Sequence, residues 1–236
     1  MISIPYLICS ILSFVPAIVC HEACHGFAAY KLGDPTAKRA GRLSFNPLKH
    51  IDPFGTVIMP LLLMAMNMPV FGYAKPVPYN PAYFKDPRKG DLIVGLAGPA
   101  ANLVLAVLGA VVYTLVMLVL PVSALAQNDV FYYFLTLFLP MFSLINLYLM
   151  FFNLLPIPPL DGSRILLVAL PQRIYFQIMR YERVIFVILL AAVWAGVLDG
   201  VLGTFNDVVW DLLDLGTGYI DQIAYSAYYA AIGTVI

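Results

Sequence analysis

Two histidines spaced four residues apart, His21 and His25, lie in the first apolar stretch of the sequence, with Glu22 between them. On a helix, residues at this spacing project from one face, one turn apart. A single tetrahedral zinc ion can accept both imidazoles, at bonds of about 2.0–2.1 Å. Glu22 would then lie beside the metal, close enough to contact a metal-bound water. This H-E-x-x-H spacing is typical of the zinc-binding helix of metalloproteases, in which the glutamate is the general base.

Catalytic zinc sites usually combine three protein ligands with a water molecule, so a third ligand is expected from elsewhere in the chain. Asp161, in the segment N-L-L-P-I-P-P-L-D-G, is the favoured candidate, and one zinc ion per chain is predicted. The alternative for Asp161 is the N-cap of a following helix. His50, the only other histidine, lies in a basic loop, where we expect it to be exposed at the interface. Cys20 and Cys24 flank the motif and are expected to be small apolar packing residues, with a thiolate ligand as the alternative.

Ionisable residues inside an apolar stretch are informative, because a central charge costs roughly 2.5–3.5 kcal/mol on insertion scales. The polar cluster could instead join helices through hydrogen bonds. Two further alternatives are a membrane protein that binds or transports metal and an inactive, protease-like scaffold. Transport favours a chain of polar sites across the bilayer, whereas the outer halves of the apolar stretches are nearly devoid of ionisable residues. The intact Glu22 argues against the inactive scaffold.

The elements that position these residues follow from composition. Hydrophobic residues make up 62% of the 236 residues and charged residues 11%, whereas soluble domains contain about half apolar and about a quarter charged residues. We therefore expect an all-α, polytopic protein embedded in a lipid bilayer. The formal net charge is zero, so overall charge predicts no nucleic-acid partner.

Basic residues predict the topology, because they concentrate at the cytoplasmic ends of membrane spans. All thirteen Lys and Arg residues fall within residues 31–89 or 164–183. About four spanning helices are predicted, each long enough for the ~20 apolar residues that a span needs, at about residues 3–30, 92–120, 130–155 and 184–204. Both termini would be extracytoplasmic. This topology, derived without the motif, places Asp161 near the same leaflet as His21 and His25.

One further apolar stretch, residues 54–72, lies between Lys49 and Lys75, so both of its ends should be cytoplasmic. We expect residues of about 41–75 to form a re-entrant or interfacial, β-hairpin-like segment, with short strand character at 41–45 and 56–58. An amphipathic surface segment is the alternative. Residues 1–204 are predicted to form one membrane-embedded domain, followed at 205–236 by an acidic, aromatic and amphipathic interfacial tail.

Three separated motifs resemble the site-2 protease family of intramembrane metalloproteases. They occur in the family's order: H-E-A-C-H at 21–25, G-P-A-A-N at 98–102, and N-L-L-P leading to L-D-G at 153–162. The stretch F-G-Y-A-K-P-V at 71–77 is similar to the family's segment that follows its membrane-associated β region. The resemblance covers about residues 15–170 and is closest to compact members, without a PDZ-like or nucleotide-sensing domain.

The resemblance implies that His21, His25 and Asp161 bind zinc and that Glu22 is the general base. It implies that Asn153 and Asn102 contact the substrate backbone or the developing oxyanion. The substrates would be transmembrane proteins, cleaved within a membrane-spanning helix near the cytoplasmic leaflet. Compact size favours a bacterial or archaeal cell membrane. Apart from the resemblance, residues 95–102 would be interpreted as a small-residue face for helix packing.

Overall fold

The computed structural model describes residues 4–59, 62, 75–119, 129–197, 200, 203–204, 207–208 and 211. The α-helices, in chain order, are α1 Ile4–Lys31, α2 Thr36–Arg39, α3 Pro87–Val119, α4 Asp129–Leu154, α5 Ser163–Ala169, α6 Gln172–Arg180 and α7 Glu182–Trp194. Short 3-10 turns at Pro47–Lys49 and Pro81–Tyr83, and a π-helical turn at Pro53–Ile58, complete the regular structure. Within these residues the chain is mostly helical and contains no strand. The predicted helical class is therefore confirmed.

Within the part of the chain that the structure describes, three helices are long and apolar enough to cross a membrane: Ile4–Lys31, Pro87–Met117 and Phe134–Leu154. They coincide with the first three predicted spans. Helix formation follows from the bilayer as solvent, because an apolar environment offers no partner for backbone N–H and C=O groups except within the helix itself. Each helix contains one internal proline, at Pro16, Pro99 or Pro140, which membrane helices tolerate.

The fourth predicted span is not confirmed. Helix α7 has 13 residues, about 20 Å at 1.5 Å per residue, whereas the hydrocarbon core is about 30 Å thick. The helix ends because Gly196 adopts a left-handed conformation, with φ of 71°. The N–H of Val197 then donates to the carbonyl of Ala192 at 3.0 Å, a Schellman cap. A single helix over 184–204 is thus interrupted near its middle.

The predicted strand at 56–58 is wrong, because these residues belong to a π-helical turn. Pro53 begins the turn, and the Asp52 carboxylate accepts two of its backbone N–H groups, at 2.7 and 3.1 Å. Proline after an aspartate N-cap favours a helical start over an extended chain. Residues 41–45 also form no strand. Residues 60–61 and 63–74 of the predicted re-entrant segment, and nearly all of the predicted tail, lie outside the described residues.

Contacts divide the chain into two units. One comprises Met1–Ala17, Leu103–Tyr148 and Val201–Ile236, and the other comprises Ile18–Asn102 and Leu149–Gly200. The second unit contains every predicted site residue.

In that second unit, residues 75–80 form a segment without regular secondary structure, here called the 75–80 segment, that is held near both ends. At its start, Arg42 Nη2 donates to the carbonyl oxygen of Lys75 at 2.8 Å. At its end, the N–H of Asn80 donates to Oδ2 of Asp34 at 2.6 Å. Arg42 and Asp34 are both buried. Hydrogen bonds to buried charged groups are the stronger kind, so the segment has a defined position.

We predict that Asp34→Ala destabilises the protein by about 3 kcal/mol, because buried N–H groups lose a charged acceptor. Besides Asn80, the lost partners include the N–H of Thr36, which donates to Asp34 at 2.9 Å. Thermal unfolding in detergent micelles measures the effect. The matched control is Asp86→Ala, which removes an exposed cap of α3 and should cost only about 1 kcal/mol. Equal melting temperatures for the two variants would contradict the assigned role of Asp34.

Candidate metal centre

Helix α1 presents His21 and His25 one turn apart, and the loop after α4 brings Asp161 to both of them. The Nε2 atoms of His21 and His25 lie 3.0 and 3.3 Å from Oδ2 of Asp161. All three ligand atoms lie within 4.8 Å of one another. Both histidines are buried. The structure therefore brings together the three residues that the sequence proposed as ligands.

The other ring nitrogen of each histidine is already engaged. His21 Nδ1 lies 2.5 Å from Oδ1 of Asn102, and His25 Nδ1 lies 2.6 Å from the carbonyl oxygen of Val94. A carbonyl oxygen only accepts, so each Nδ1 carries the proton and donates it. In the neutral imidazole the Nε2 lone pair is then free and directed at Asp161. This is the arrangement by which proteins orient metal-binding histidines.

The residues present fit a metal ion. Oδ2 of Asp161 is buried and has no hydrogen-bond partner. The Nε2 lone pairs of both imidazoles face this oxygen. Two nitrogens and one carboxylate oxygen form a donor set that suits zinc. Asp161 would supply the negatively charged member of this donor set, since a carboxylate binds a metal ion in its ionised form.

Gly98, on α3, leaves the space that the imidazoles occupy. A Cβ atom added there would lie 2.6 Å from His21 Nε2 and would also clash with His25 Nε2. The sequence suggested only that the small residues of this stretch pack helices together. In the structure the missing side chain makes room for the ligand pair itself, which the spacing of the glycines does not reveal.

The loop that carries Asp161 is held close to the end of α4. The N–H of Gly162 donates to the carbonyl oxygen of Asn153 at 2.6 Å. A Cβ at Gly162 would collide with the backbone carbonyl of Leu154, so only glycine permits this approach. The alternative role of Asp161 as an N-cap gains no support from Oδ2, which accepts no hydrogen bond from α5.

Glu22 lies on the same helix as the two histidines and contacts the 75–80 segment. Its Oε2 accepts the N–H of Val77 at 2.8 Å. Pro76 and Pro78 have no N–H, so Val77 is the sole backbone donor in that tripeptide. The Glu22 carboxylate is thus held through one of its two oxygens, by a hydrogen bond from the backbone of Val77.

Asn102 and Asn153 occupy supporting positions. Asn102 is fully buried, and its amide oxygen contacts His21. The amide nitrogen of Asn153 donates to the carbonyl oxygen of Leu149 at 2.9 Å, one turn earlier in α4. The Asn102 side chain therefore contacts a candidate ligand directly, whereas the Asn153 side chain contacts the backbone of its own helix.

His50 is not exposed, contrary to expectation. It is 1% exposed, and its Nε2 lies 2.7 Å from the carbonyl oxygen of Ser44. The histidine packs inside its own loop because its backbone carbonyl also accepts the N–H of Lys75 at 2.9 Å. Cys20 and Cys24 are half-buried free thiols. Among the described residues, the metal-binding cluster includes none of these three side chains.

Comparison with known proteins adds a family. Residues 115–196 match the model of peptidase family M50. The chain is 38% identical over 225 residues to "Putative zinc metalloprotease YwhC" of Bacillus subtilis (strain 168), covering 95% of this chain and 93% of the relative. It is 30% identical over 205 residues to "Putative zinc metalloprotease Rip2" of Mycobacterium tuberculosis (strain ATCC 25618 / H37Rv), covering 87% and 73%. No solved structure matches the chain at a significant level.

Similarity over nearly the full length of both chains, together with the long apolar helices, places this protein among the membrane-associated metalloproteases. It belongs to peptidase family M50, the site-2 protease family, and its cofactor is zinc.

We predict that Gly98→Ala weakens zinc binding by roughly 10–100-fold, the usual effect of disturbing the surroundings of metal ligands. Competition with a chromophoric chelator measures the affinity of the purified protein. Gly109→Ala is the matched control, since a Cβ there would lie 2.5 Å from Ser143 Oγ and so disturbs α3 away from the metal centre. Equal zinc affinity in the two variants would show that Gly98 does not make room for the ligands.

Proposed function

We propose that the protein is an intramembrane zinc metalloprotease of the H-E-x-x-H type. It hydrolyses peptide bonds within transmembrane helices of other proteins, near the cytoplasmic leaflet. One observation carries the proposal: His21 and His25, buried in an apolar helix long enough to span a membrane, converge with Asp161 while Glu22 lies beside them. A site built into a spanning helix acts on substrates that enter the membrane region.

His21, His25 and Asp161 would hold the zinc ion. When bound, zinc supplies Lewis acidity that lowers the pKa of a coordinated water to about 7 and polarises a carbonyl oxygen. The protein's part is to keep three electron-pair donors fixed. The contacts of Asn102 and Val94 with the two Nδ1 atoms support this function, because they hold each imidazole in the tautomer that binds metal.

Glu22 acts as the general base. It takes a proton from the attacking water and passes it to the leaving amine. The hydrogen bond from Val77 to Oε2 supports this role, since it holds one carboxylate oxygen and leaves Oε1 to exchange the proton. Asn153 remains a candidate contact for the substrate backbone, and it also holds the loop of Asp161 through its carbonyl group.

A substrate helix must unwind before cleavage, because its peptide bonds are hydrogen-bonded internally and lipid offers no replacement partners. The chain next to the site is itself not helical. Helix α4 ends at Leu154, and three prolines follow at positions 156, 158 and 159. Prolines cannot continue a helix. Non-helical backbone beside the metal centre is suited to an opened substrate chain.

Glu22→Gln should lower the cleavage rate by about 10²–10⁴-fold, the typical contribution of a general base, while zinc content stays at the wild-type value. The glutamine oxygen still accepts from Val77, so the local structure is kept. Cleavage of a transmembrane substrate in liposomes measures the rate, and elemental analysis measures zinc. Glu182→Gln, at the start of α7, is the control and should retain the full rate.

Cleavage by Glu22→Gln at the wild-type rate would refute the base assignment. Bound zinc without cleavage of any transmembrane substrate by the wild-type protein would favour a metal-binding or metal-transporting protein, or an inactive scaffold.

Asp161→Ala should reduce zinc affinity by more than the roughly 10–100-fold that loss of an outer partner costs, because a ligand itself is removed. Zinc retained after dialysis against a weak chelator measures the loss. Asp52→Ala, which removes the cap of the π-helical turn, should retain the metal. Unchanged zinc content in Asp161→Ala would assign the third ligand to another residue.

A further inference from the structure

A second buried carboxylate, Asp91, lies near the start of α3 and is not a metal ligand. Tyr79 donates its hydroxyl hydrogen to Oδ1 of Asp91 at 2.6 Å. Arg164 Nη1 lies 3.2 Å from Oδ2 of the same carboxylate. Asp91 is 3% exposed, so its carboxylate is almost completely removed from water. Tyr79 and Arg164 come from different parts of the site.

Arg164 connects Asp91 to the metal-ligand loop. It lies three residues after Asp161, and its backbone N–H donates to the carbonyl oxygen of Asp161 at 3.0 Å. Its side-chain stem crosses α3 at Gly95, where an added Cβ would lie 2.8 Å from Arg164 Cγ and 3.3 Å from the carbonyl oxygen of Asp161. The position of Arg164 therefore determines where the Asp161 loop lies against α3.

Tyr79 connects Asp91 to the segment that contacts Glu22. It belongs to the 75–80 segment, two residues after Val77, whose N–H donates to Glu22. Burial and the adjacent Asp91 carboxylate raise the pKa of Tyr79. The phenol therefore stays protonated and serves as a donor throughout the physiological range.

A buried ion pair is a poor device for stability alone, since well-packed apolar residues of similar volume are often as stabilising. It is a good device for geometry, because a carboxylate holds two donors at fixed angles. On α3, Asp91, Gly95, Gly98 and Asn102 follow one another at spacings of four, three and four, which places them on one face. The last two of these already position the metal-binding histidines.

We propose that Asp91 is a positioning residue that aligns the two halves of the catalytic site. One carboxylate oxygen fixes the Asp161 loop through Arg164, and the other fixes the Glu22 contact through Tyr79. The inference rests on the proposed function, because it takes Asp161 as a ligand and Glu22 as the base.

The first test separates positioning of the ligand loop from simple stability. Arg164→Met keeps the stem that packs on Gly95 but removes the charge, and should weaken zinc binding about tenfold. Arg164→Lys should restore most of the affinity. Arg39→Met, an exposed arginine on α2, is the control and should bind zinc normally. Thermal unfolding of the metal-free variants measures folding separately from zinc affinity.

The second test isolates the other carboxylate oxygen. Tyr79→Phe removes one hydroxyl group and should lower kcat about tenfold, the value of one hydrogen bond to a charged group, with zinc affinity within about twofold of wild type. Asp91→Asn should show both effects. Tyr83→Phe, an exposed tyrosine nearby, should show neither effect.

Wild-type zinc affinity in Arg164→Met would overturn the proposal, whether or not the melting temperature of its metal-free form is lower. Wild-type kcat in Tyr79→Phe would overturn it equally. These results are distinguishable from failure of the proposed function, which is decided by Asp161→Ala and Glu22→Gln. If Asp161→Ala loses zinc and Glu22→Gln loses activity as expected, while the Arg164 variants bind zinc normally, only the role of Asp91 is refuted.

Discussion

Two imidazoles and a carboxylate cannot share one point in a region of low dielectric constant unless a positive charge lies between their lone pairs. Here each Nδ1 is committed to a carbonyl oxygen, and both Nε2 atoms face Oδ2 of Asp161 at 3.0 and 3.3 Å. A single proton satisfies one of these two contacts, whereas a divalent cation would satisfy all three lone pairs. If these residues hold the zinc ion as proposed, metal binding and the native geometry of this region are linked, since zinc would remove this cost.

Helix α3 supplies no ligand, yet one of its faces determines where the ligands lie. Asn102 and the carbonyl of Val94 orient the imidazoles, Gly98 admits them, and Gly95 admits Arg164 beside the Asp161 loop. The glycines leave space for neighbouring side chains, and the polar groups hold the imidazoles by hydrogen bonds. A helix face that, apart from the family resemblance, would be interpreted as a small-residue packing face thus also surrounds the candidate metal centre.

Sequence predicts those parts of this protein that depend on local spacing and on the bilayer. The i, i+4 histidines and the first three apolar helices are of this kind, and charge placement located Asp161 at the depth of His21 and His25 without any contact information. Features that depend on tertiary contact were missed. The burial of His50 depends on its loop folding over it, and the roles of Asp91 and Gly98 depend on which residues face them. The sequence shows a glycine at position 196, but it does not show that this glycine adopts the left-handed conformation that ends the helix.

The 75–80 segment shows why the site needs buried carboxylates beyond its ligand. Prolines 76 and 78 deprive the segment of a ladder of N–H groups, so it cannot be held as an ordinary strand would be. Three of its donors reach carboxylates: the N–H of Val77 donates to Glu22, the hydroxyl of Tyr79 to Asp91 and the N–H of Asn80 to Asp34. Displacing the segment must break charge-assisted bonds, each worth about 1.5–3 kcal/mol. Since Asp91 also holds Arg164, the proposed general base and the proposed third ligand are positioned from the same buried group.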